Sequence, residues 1–273
     1  MSIDPNSVTR SPWLYDVEPF HIVDNLYYVG NSSVSSHLID TGDGLLLLDT
    51  TYPQTGYLLI ESIRKLGFDP ADIRWILHSH GHIDHFGATR MLVEKYGCKT
   101  YMPKADIPFL NEQSQLNWCK ELEMPYTPPY DTWFQVDVAV EPGNVLTFGN
   151  TTIEVHDGKG HTPGTAIYLF HLPGGLRGIT HGGVGINTMA SAYCKEHNLG
   201  HTWRDNYVAS MEYAKTLQAE VLISNHPGQV DLFDILKTRT AEYNPFIDPE
   251  AWPKFIDKRM ALYRKDIEIA DPM

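Results

Sequence analysis

Apolar residues along the first hundred positions fall into two rhythms. Short β-prone runs recur at 26–29 (LYYV), 36–40 (SHLID) and 45–49 (LLLLD), broken by Gly-containing turns such as TGDG at 41–44, and read as successive strands of a sheet. From Pro53 the rhythm changes: Leu58, Leu59, Ile63 and Leu66 recur at helical spacing, and Gly67 stands where a helix stop is expected. IRWIL at 73–77 then predicts a buried strand, and ATRMLVEKYG at 88–97 a helix ended by Gly97. The second half repeats this grammar, with strands at 145–148, 151–156, 166–170 and 220–224 and a helix over 206–217. Such alternation predicts an α/β chain. No Gly/Ser-rich or charge-run linker separates the halves, so residues 1–273 read as one domain. The stretch 103–143 differs in character: it is rich in Pro, carries Trp118, Tyr126, Tyr130, Trp133 and Phe134, and shows little periodicity beyond a short helix at 111–121, which predicts an insertion or lid.

Composition narrows the classes of function. With 42% hydrophobic residues among 273, the chain can fill a sizeable core. Its formal charge is −13 and no Lys or Arg cluster is present, which argues against a nucleic-acid partner. Nothing in it approaches the ~20 apolar residues that a membrane span needs. The amino terminus, interrupted by Pro5, Pro12 and Pro19, offers no apolar core for a signal peptide. Cys98, Cys119 and Cys194 are odd in number and far apart, as reduced thiols would be. The expectation is a cytoplasmic protein that acts on a small molecule, with no nucleic-acid or membrane partner.

Residues 78–87 read HSHGHIDHFG, four histidines and an aspartate in ten positions, between a buried strand and a helix. Open α/β sheets place their ligands at such strand ends. Neutral imidazole and carboxylate are ligands that zinc accepts, and a catalytic zinc keeps one position for water. On an extended or turning backbone, residues two apart point the same way, so His80 and His82 can hold one ion. Asp84 and His85 follow with a shifted direction and can reach a second. A lone His in a turn is ordinarily only tolerated there; this density behind a buried strand has no such explanation. Two ions need further ligands, and two motifs offer them. GKGHTPG at 158–164 places His161 in a tight Gly-rich turn after a strand, and SNHPG at 224–228 places His226 directly after EVLIS. The recurrence of strand, His, Pro and Gly predicts a shared rim of ligands.

His80-Gly81-His82-Ile83-Asp84-His85 resembles the H-x-H-x-D-H signature of the metallo-β-lactamase superfamily, and GHTPG around His161 and NHPG around His226 resemble its later ligand motifs in the same order. The chain is most similar to the β-lactamase subclass that binds two zincs with His and Asp alone, through PFHIVDNLYYVG at 19–30, LLLLDTTYPQT at 45–55 and LISNHPG at 222–228. The resemblance implies a four-layered αββα sandwich with two zinc ions at one edge of the paired sheets. It assigns His80, His82 and His161 to the first zinc, and Asp84, His85 and His226 to the second. It also implies a hydrolase, in which a hydroxide shared by the two ions attacks the substrate carbonyl. Asp84 is the catalytic residue, aiming that nucleophile and carrying its proton. Asp49 is an acceptor for a ligand imidazole N–H, or else a cap at its strand's end.

The departures from the family pattern bear on substrate. Thioesterases of the glyoxalase II type carry an acid that bridges both metals, and the corresponding stretch here, LRGITHGGVGINTM at 176–189, holds none. This points away from the glyoxalase and phosphodiesterase branches. His181 falls near that position, as a metal or substrate contact or as a satisfied structural His. The small hydroxyl residues that hold the substrate carboxylate in the lactamase subclass are missing from HGGVGIN, which leaves Asn187, Thr188 or lid residues such as Tyr130 and Trp133 to replace them. The implied substrate is a β-lactam, a cyclic amide; the altered anchor keeps a lactone or another carboxylic ester or thioester as the alternative. A non-catalytic scaffold would be expected to have lost ligands, and all six are in place. His78 and the remaining histidines read as supporting structure. Met189, Tyr193 and Trp203 either line a pocket mouth with the lid aromatics or fill the core.

Overall fold

A computed structural model describes residues 7–110 and 132–272. The helix expected at 111–121, and with it Trp118, Cys119, Tyr126 and Tyr130, lies outside the described residues. Strands β1 (Phe20–Val23), β2 (Leu26–Tyr28), β3 (His37–Asp40) and β4 (Leu45–Leu48) pair antiparallel in sequence order. Helix α1 (Gly56–Lys65) carries the chain back to β5 (Ile73–Leu77), parallel to β4; α2 (Ile83–Phe86) and α3 (Thr89–Tyr96) lead to β6 (Lys99–Pro103) and then β7 (Val138–Val140), both parallel additions. The second sheet is built from β8 (Val145–Phe148), β9 (Thr151–Asp157), β10 (Ala166–His171) and β11 (Arg177–His181), all antiparallel. After α4 (Ser191–Glu196) and α5 (His201–Ala214), the short β12 (Val221–Leu222) pairs parallel to β11, and α6 (Leu232–Lys237) and α7 (Ala251–Tyr263) follow.

Burial separates these elements into four layers. Leu46, Leu48 and Leu77 from the first sheet pack with Ile153, Tyr168 and Phe170 from the second, which forms the core between the sheets. Leu45, Leu47 and Ile76 point the other way, onto Leu59 and Ile63 of α1 and Leu92 of α3. Ile167, Leu169 and Ile179 do the same on the second sheet, against Tyr207 and Met211 of α5 and Trp252 and Ile256 of α7. The run LLLL in β4 shows no alternation because both of its faces are covered. The order of layers is α, β, β, α, as the resemblance implied.

Local pattern and observed elements part company where strands are short or marginal. The strand expected at 220–224 keeps only two residues in its ladder, because Ser224 and Asn225 turn toward the ligand rim. The helix expected over 206–217 begins earlier, at His201. Part of the stretch taken as an acid-free turn is β11, a strand whose Gly178 blunts its β signal. Of the 103–143 stretch, one end supplies the 3₁₀ turn Lys104–Phe109 and the other supplies β7. No helix among the described residues is long and apolar enough to cross a membrane.

One buried side chain ties the sheets together directly under the ligands. The Tyr168 hydroxyl, on β10, donates to the carbonyl of His78 at 2.6 Å. Tyr168→Phe leaves that carbonyl without its donor, and the expected loss is about 1–3 kcal/mol of stability. It is read as a lower denaturant midpoint at unchanged m-value; a midpoint equal to wild type would show that the bond carries no net stability.

Candidate metal centre

β5 delivers the chain at Leu77, residues 79–81 bend, and His82 precedes the single turn of α2 with extended backbone. Ile83 and Phe86, three positions apart on that turn, are both fully buried against Val34, Tyr52 and Phe134. With about 100° of rotation per residue, this anchoring leaves Asp84 and His85 on another face of the turn, toward the other histidines. His161 arrives in the turn between β9 and β10, and His226 just beyond β12.

Six side chains converge as two triplets. His80, His82 and His161 offer ligand atoms within 4.8 Å of one another, and so do Asp84, His85 and His226. In the second triplet, Asp84 Oδ2 lies 3.4 Å from His85 Nε2 and 3.6 Å from His226 Nε2. The rings of His80 and His85, 4.3 Å apart, join the two groups. His80 Nε2 and Asp84 Oδ1 are buried with no hydrogen-bond partner among the described residues. Leaving a buried donor or acceptor unmade costs about 1–3 kcal/mol, and divalent cations at the two triplets satisfy such atoms. The donor set, imidazole and carboxylate, suits zinc. Of the six, only His226 has a substantially exposed side chain, 30%, so the centre opens to solvent on its side.

Four of the rings, those of His80, His85, His161 and His226, meet an acceptor on the nitrogen that faces away from the centre. His161 Nδ1 donates to the Gly185 carbonyl and His226 Nδ1 to the Ser33 carbonyl, both at 2.8 Å, which leaves Nε2 as the nitrogen able to hold a metal ion. Asp49 serves both triplets. Its Oδ2 accepts from His85 Nδ1 at 2.9 Å and from the Ser79 hydroxyl at 2.7 Å, and that Ser79 oxygen in turn takes the Nδ1–H of His80 at 3.0 Å. Asp49 is 2% exposed and sits at φ 61°, a left-handed conformation costly for a residue with a Cβ. Three contacts to Ser79 and His85 hold it there, since the Ser79 N–H also donates to Oδ1 at 2.7 Å.

A profile of the metallo-β-lactamase superfamily matches residues 29–226, which begins in β2's exit and ends on the last ligand. The chain belongs to the metallo-β-lactamase superfamily. It is similar to BJP-1, a subclass B3 metallo-β-lactamase of Bradyrhizobium japonicum, with TM-score 0.80 and 25% identity over 96% of this chain and 97% of that one. Its fold is also similar to the FEZ-1 metallo-β-lactamase of Legionella gormanii, with TM-score 0.80 and 22% identity over 93% and 97% of the two chains. Among curated proteins it is similar to the N-acyl homoserine lactonase AttM of Azorhizobium caulinodans, 20% identical over 197 residues, or 72% of this chain and 66% of that protein. A second similarity, to AttM of Agrobacterium fabrum, is 52% identical but confined to 29 residues, 11% of each chain. The chain is thus a hydrolase of the metallo-β-lactamase fold, and its two triplets imply a dinuclear metal site.

Other residues singled out by sequence fall at different distances from this metallo-β-lactamase centre. Thr188 Oγ1 reaches His161 Nδ1 at 3.3 Å. Asn187 stands beside the same ring, since a Cβ on Gly185 would meet Asn187 Oδ1 at 2.6 Å and His161 Cε1 at 3.0 Å. His181 is buried at the end of β11, where its Nδ1 accepts from the Gly183 N–H at 3.3 Å, and it is in neither triplet. Trp133 lines a separate cavity of about 680 Å³ with Arg90, Glu94 and Lys99, and none of its described lining residues is a ligand. Met189 and Trp203, the latter on α5 itself, pack in one buried cluster with Trp252 and Ile256 of α7, which makes them core filling. His78 is engaged at both ring nitrogens, donating to the Tyr101 carbonyl at 2.8 Å and accepting from Thr89 Oγ1 at 2.7 Å. Sequence reasoning passed over Asp106 and Ser33. Ser33 acts through its carbonyl, which no side-chain pattern reports, and Asp106 stands in an aperiodic stretch.

Burial and neighbouring charge sort the titrations. Burial lowers His37, His78 and His161 to about 4 and His181 to about 3. Burial and the surrounding imidazoles also hold His80, His82 and His226 low, in the neutral state that ligation requires. Burial opposes charge on Asp84 and His85 too, but each partner overrides it for the other: Asp84 is held well below the usual carboxylate range, and His85, between Asp84 and Asp49, is raised to about 10.

The metal-free protein therefore loses stability on acidification. Its lowered imidazoles are neutral when folded and protonate in the unfolded chain below about pH 6.5, so each removes up to about 1.4 kcal/mol per pH unit as pH falls toward the folded pKa. His85, charged throughout in the folded protein, titrates near 6.5 only when unfolded, so its stabilising contribution still grows slightly down to that pH and is constant below it. Asp106, raised by burial to about 7, is a single group of opposite sign. The denaturant midpoint of chelator-treated protein should fall between pH 7 and pH 5; a flat or rising midpoint contradicts the neutral cluster.

Proposed function

We propose that this chain is a dizinc hydrolase that opens the cyclic amide of β-lactams, built as one domain because neither half carries a complete ligand set. The observation that carries this reading is the pair of His/Asp triplets with no acid in the Gly182–Ile186 turn beside them. The similarity to BJP-1 across nearly the whole chain supports it. A second reading, opening of a lactone, rests on the same centre. It is favoured by the missing hydroxyls in that turn and by the similarity to AttM.

Zinc, when bound, supplies a Lewis-acid pair that lowers the pKa of water toward neutrality and polarises the scissile carbonyl. The chain's own residues do the rest. Asp84 Oδ1, buried and without a hydrogen-bond partner among the described residues, accepts the hydrogen bond of the attacking water and takes its proton. Asp49, through Ser79 and His85, fixes the rings against which that water is held. The Gly185 carbonyl and Thr188 keep His161 in the tautomer that presents Nε2. Asn187, beside His161, is placed to meet the substrate's polar end in place of the missing hydroxyls.

Metal analysis after zinc supplementation should give two equivalents per chain; one equivalent or fewer sinks the dinuclear reading. Asp84→Asn and His161→Ala should each lower kcat by ~10²–10⁴, with chelator abolishing the remainder. Most of the activity surviving in either variant would mean that the reacting centre lies elsewhere. Substrate is decided by a panel of a chromogenic cephalosporin, an acyl-homoserine lactone, a thioester and aryl esters, assayed with and without chelator. Chelator-sensitive turnover fastest on the cephalosporin supports the lactam reading, and fastest on the lactone replaces it with the second.

A further inference from the structure

Asp106 is wholly buried in the 3₁₀ turn that follows β6, in no ligand motif and in neither triplet. Its carboxylate accepts three hydrogen bonds from the two loops that carry the first triplet. The Gly81 N–H donates to Oδ2 at 2.7 Å, the Thr162 hydroxyl to Oδ2 at 2.7 Å, and the Gly164 N–H to Oδ1 at 2.6 Å. Gly81 is the residue between His80 and His82, and Thr162 is the residue after His161. All three ligands of one ion are thus spaced by a single side chain. The second triplet is held otherwise, His85 by Asp49 and His226 by the Ser33 carbonyl. The fit around Asp106 is close, since a Cβ on Gly164 would stand 2.7 Å from its Oδ1. A carboxylate, which only accepts, satisfies three donors; an amide of the same shape turns an N–H toward one of them.

We propose that Asp106 is a positioning residue for the first metal ion, setting the distance between the His80–His82 loop and the His161 turn so that the affinity of that ion alone depends on it. This rests on the dinuclear reading above. Zinc is titrated into the metal-free full chain against a chromophoric chelator, with cobalt(II) absorption as a second readout. Wild type should show two steps, and His161→Ala identifies which belongs to the first ion. Asp106→Asn should weaken that step ~10–100-fold, alter its cobalt spectrum and leave the other step at its wild-type affinity, even though the unmet donor lowers the metal-free melting temperature. Both steps unchanged, or both weakened in parallel, overturns the proposal in favour of an ordinary brace. Should Asp106→Asn fail to fold, Thr162→Val should weaken the first step ~2–10-fold and Thr162→Ser restore it; no effect of Thr162→Val overturns it equally. Saturation of wild type at one equivalent instead defeats the dinuclear reading, and this inference with it.

Discussion

The Ala166 N–H donates to the Ser79 carbonyl at 3.1 Å, and from that bond the two sheets are stitched together at the ligand rim. The Gly182 N–H donates to the Ala166 carbonyl at 2.8 Å, the Asn225 side-chain amide to the Gly182 carbonyl at 2.5 Å, and the Ser35 N–H to the Asn225 carbonyl at 2.9 Å. Each of these residues sits next to or near a ligand or a residue that orients one. Buried polar groups at strand ends must find partners; here they find one another, and the Ser79–Ala166 and Ser35–Asn225 bonds cross from one half of the fold to the other, which brings His80, His161 and His226 to one rim.

The same seam accounts for the acid-free turn. A Cβ on Gly182 would lie 2.7 Å from the Ser79 carbonyl oxygen and 2.8 Å from that of Ala166, both backbone atoms that cannot swing aside. A Cβ on Gly183 would lie 2.4 Å from His161 Cδ2. The rim is drawn so tightly that this segment passes under His161 as bare backbone. The side chains that stand beside His161 there are those of the next residues, Asn187 and Thr188.

Electrostatics is divided along the same line as the ligands. Asp49 and Asp84 face the second triplet and raise His85 to about 10, whereas His80 and His82, with no comparable carboxylate support, are kept neutral by burial and by one another. Two ions at these triplets meet unlike environments, one all imidazole and one carrying a carboxylate. The backbone is left-handed at Asp49 and again at Thr51, and in that turn a single carboxylate reaches His85 directly and His80 through Ser79.

Sequence by itself determined the α/β class, the strands and helices with strong periodicity, and the six side chains that the fold gathers into two triplets, because burial on two faces writes continuous apolar runs and because clustered His and Asp are residue types that a core does not otherwise tolerate. It did not determine β1, β7 or β11, whose short ladders are specified by their neighbours more than by their own residues. Only the tertiary structure decided that Trp203 and Met189 fill the core, that His78 is saturated, and that Trp133 lines a different cavity. It alone revealed Asp106, whose partners lie 25, 56 and 58 residues away in the chain. Local pattern reports how a residue meets its own strand or helix; which distant backbone N–H a buried carboxylate accepts is set when two sheets close on each other.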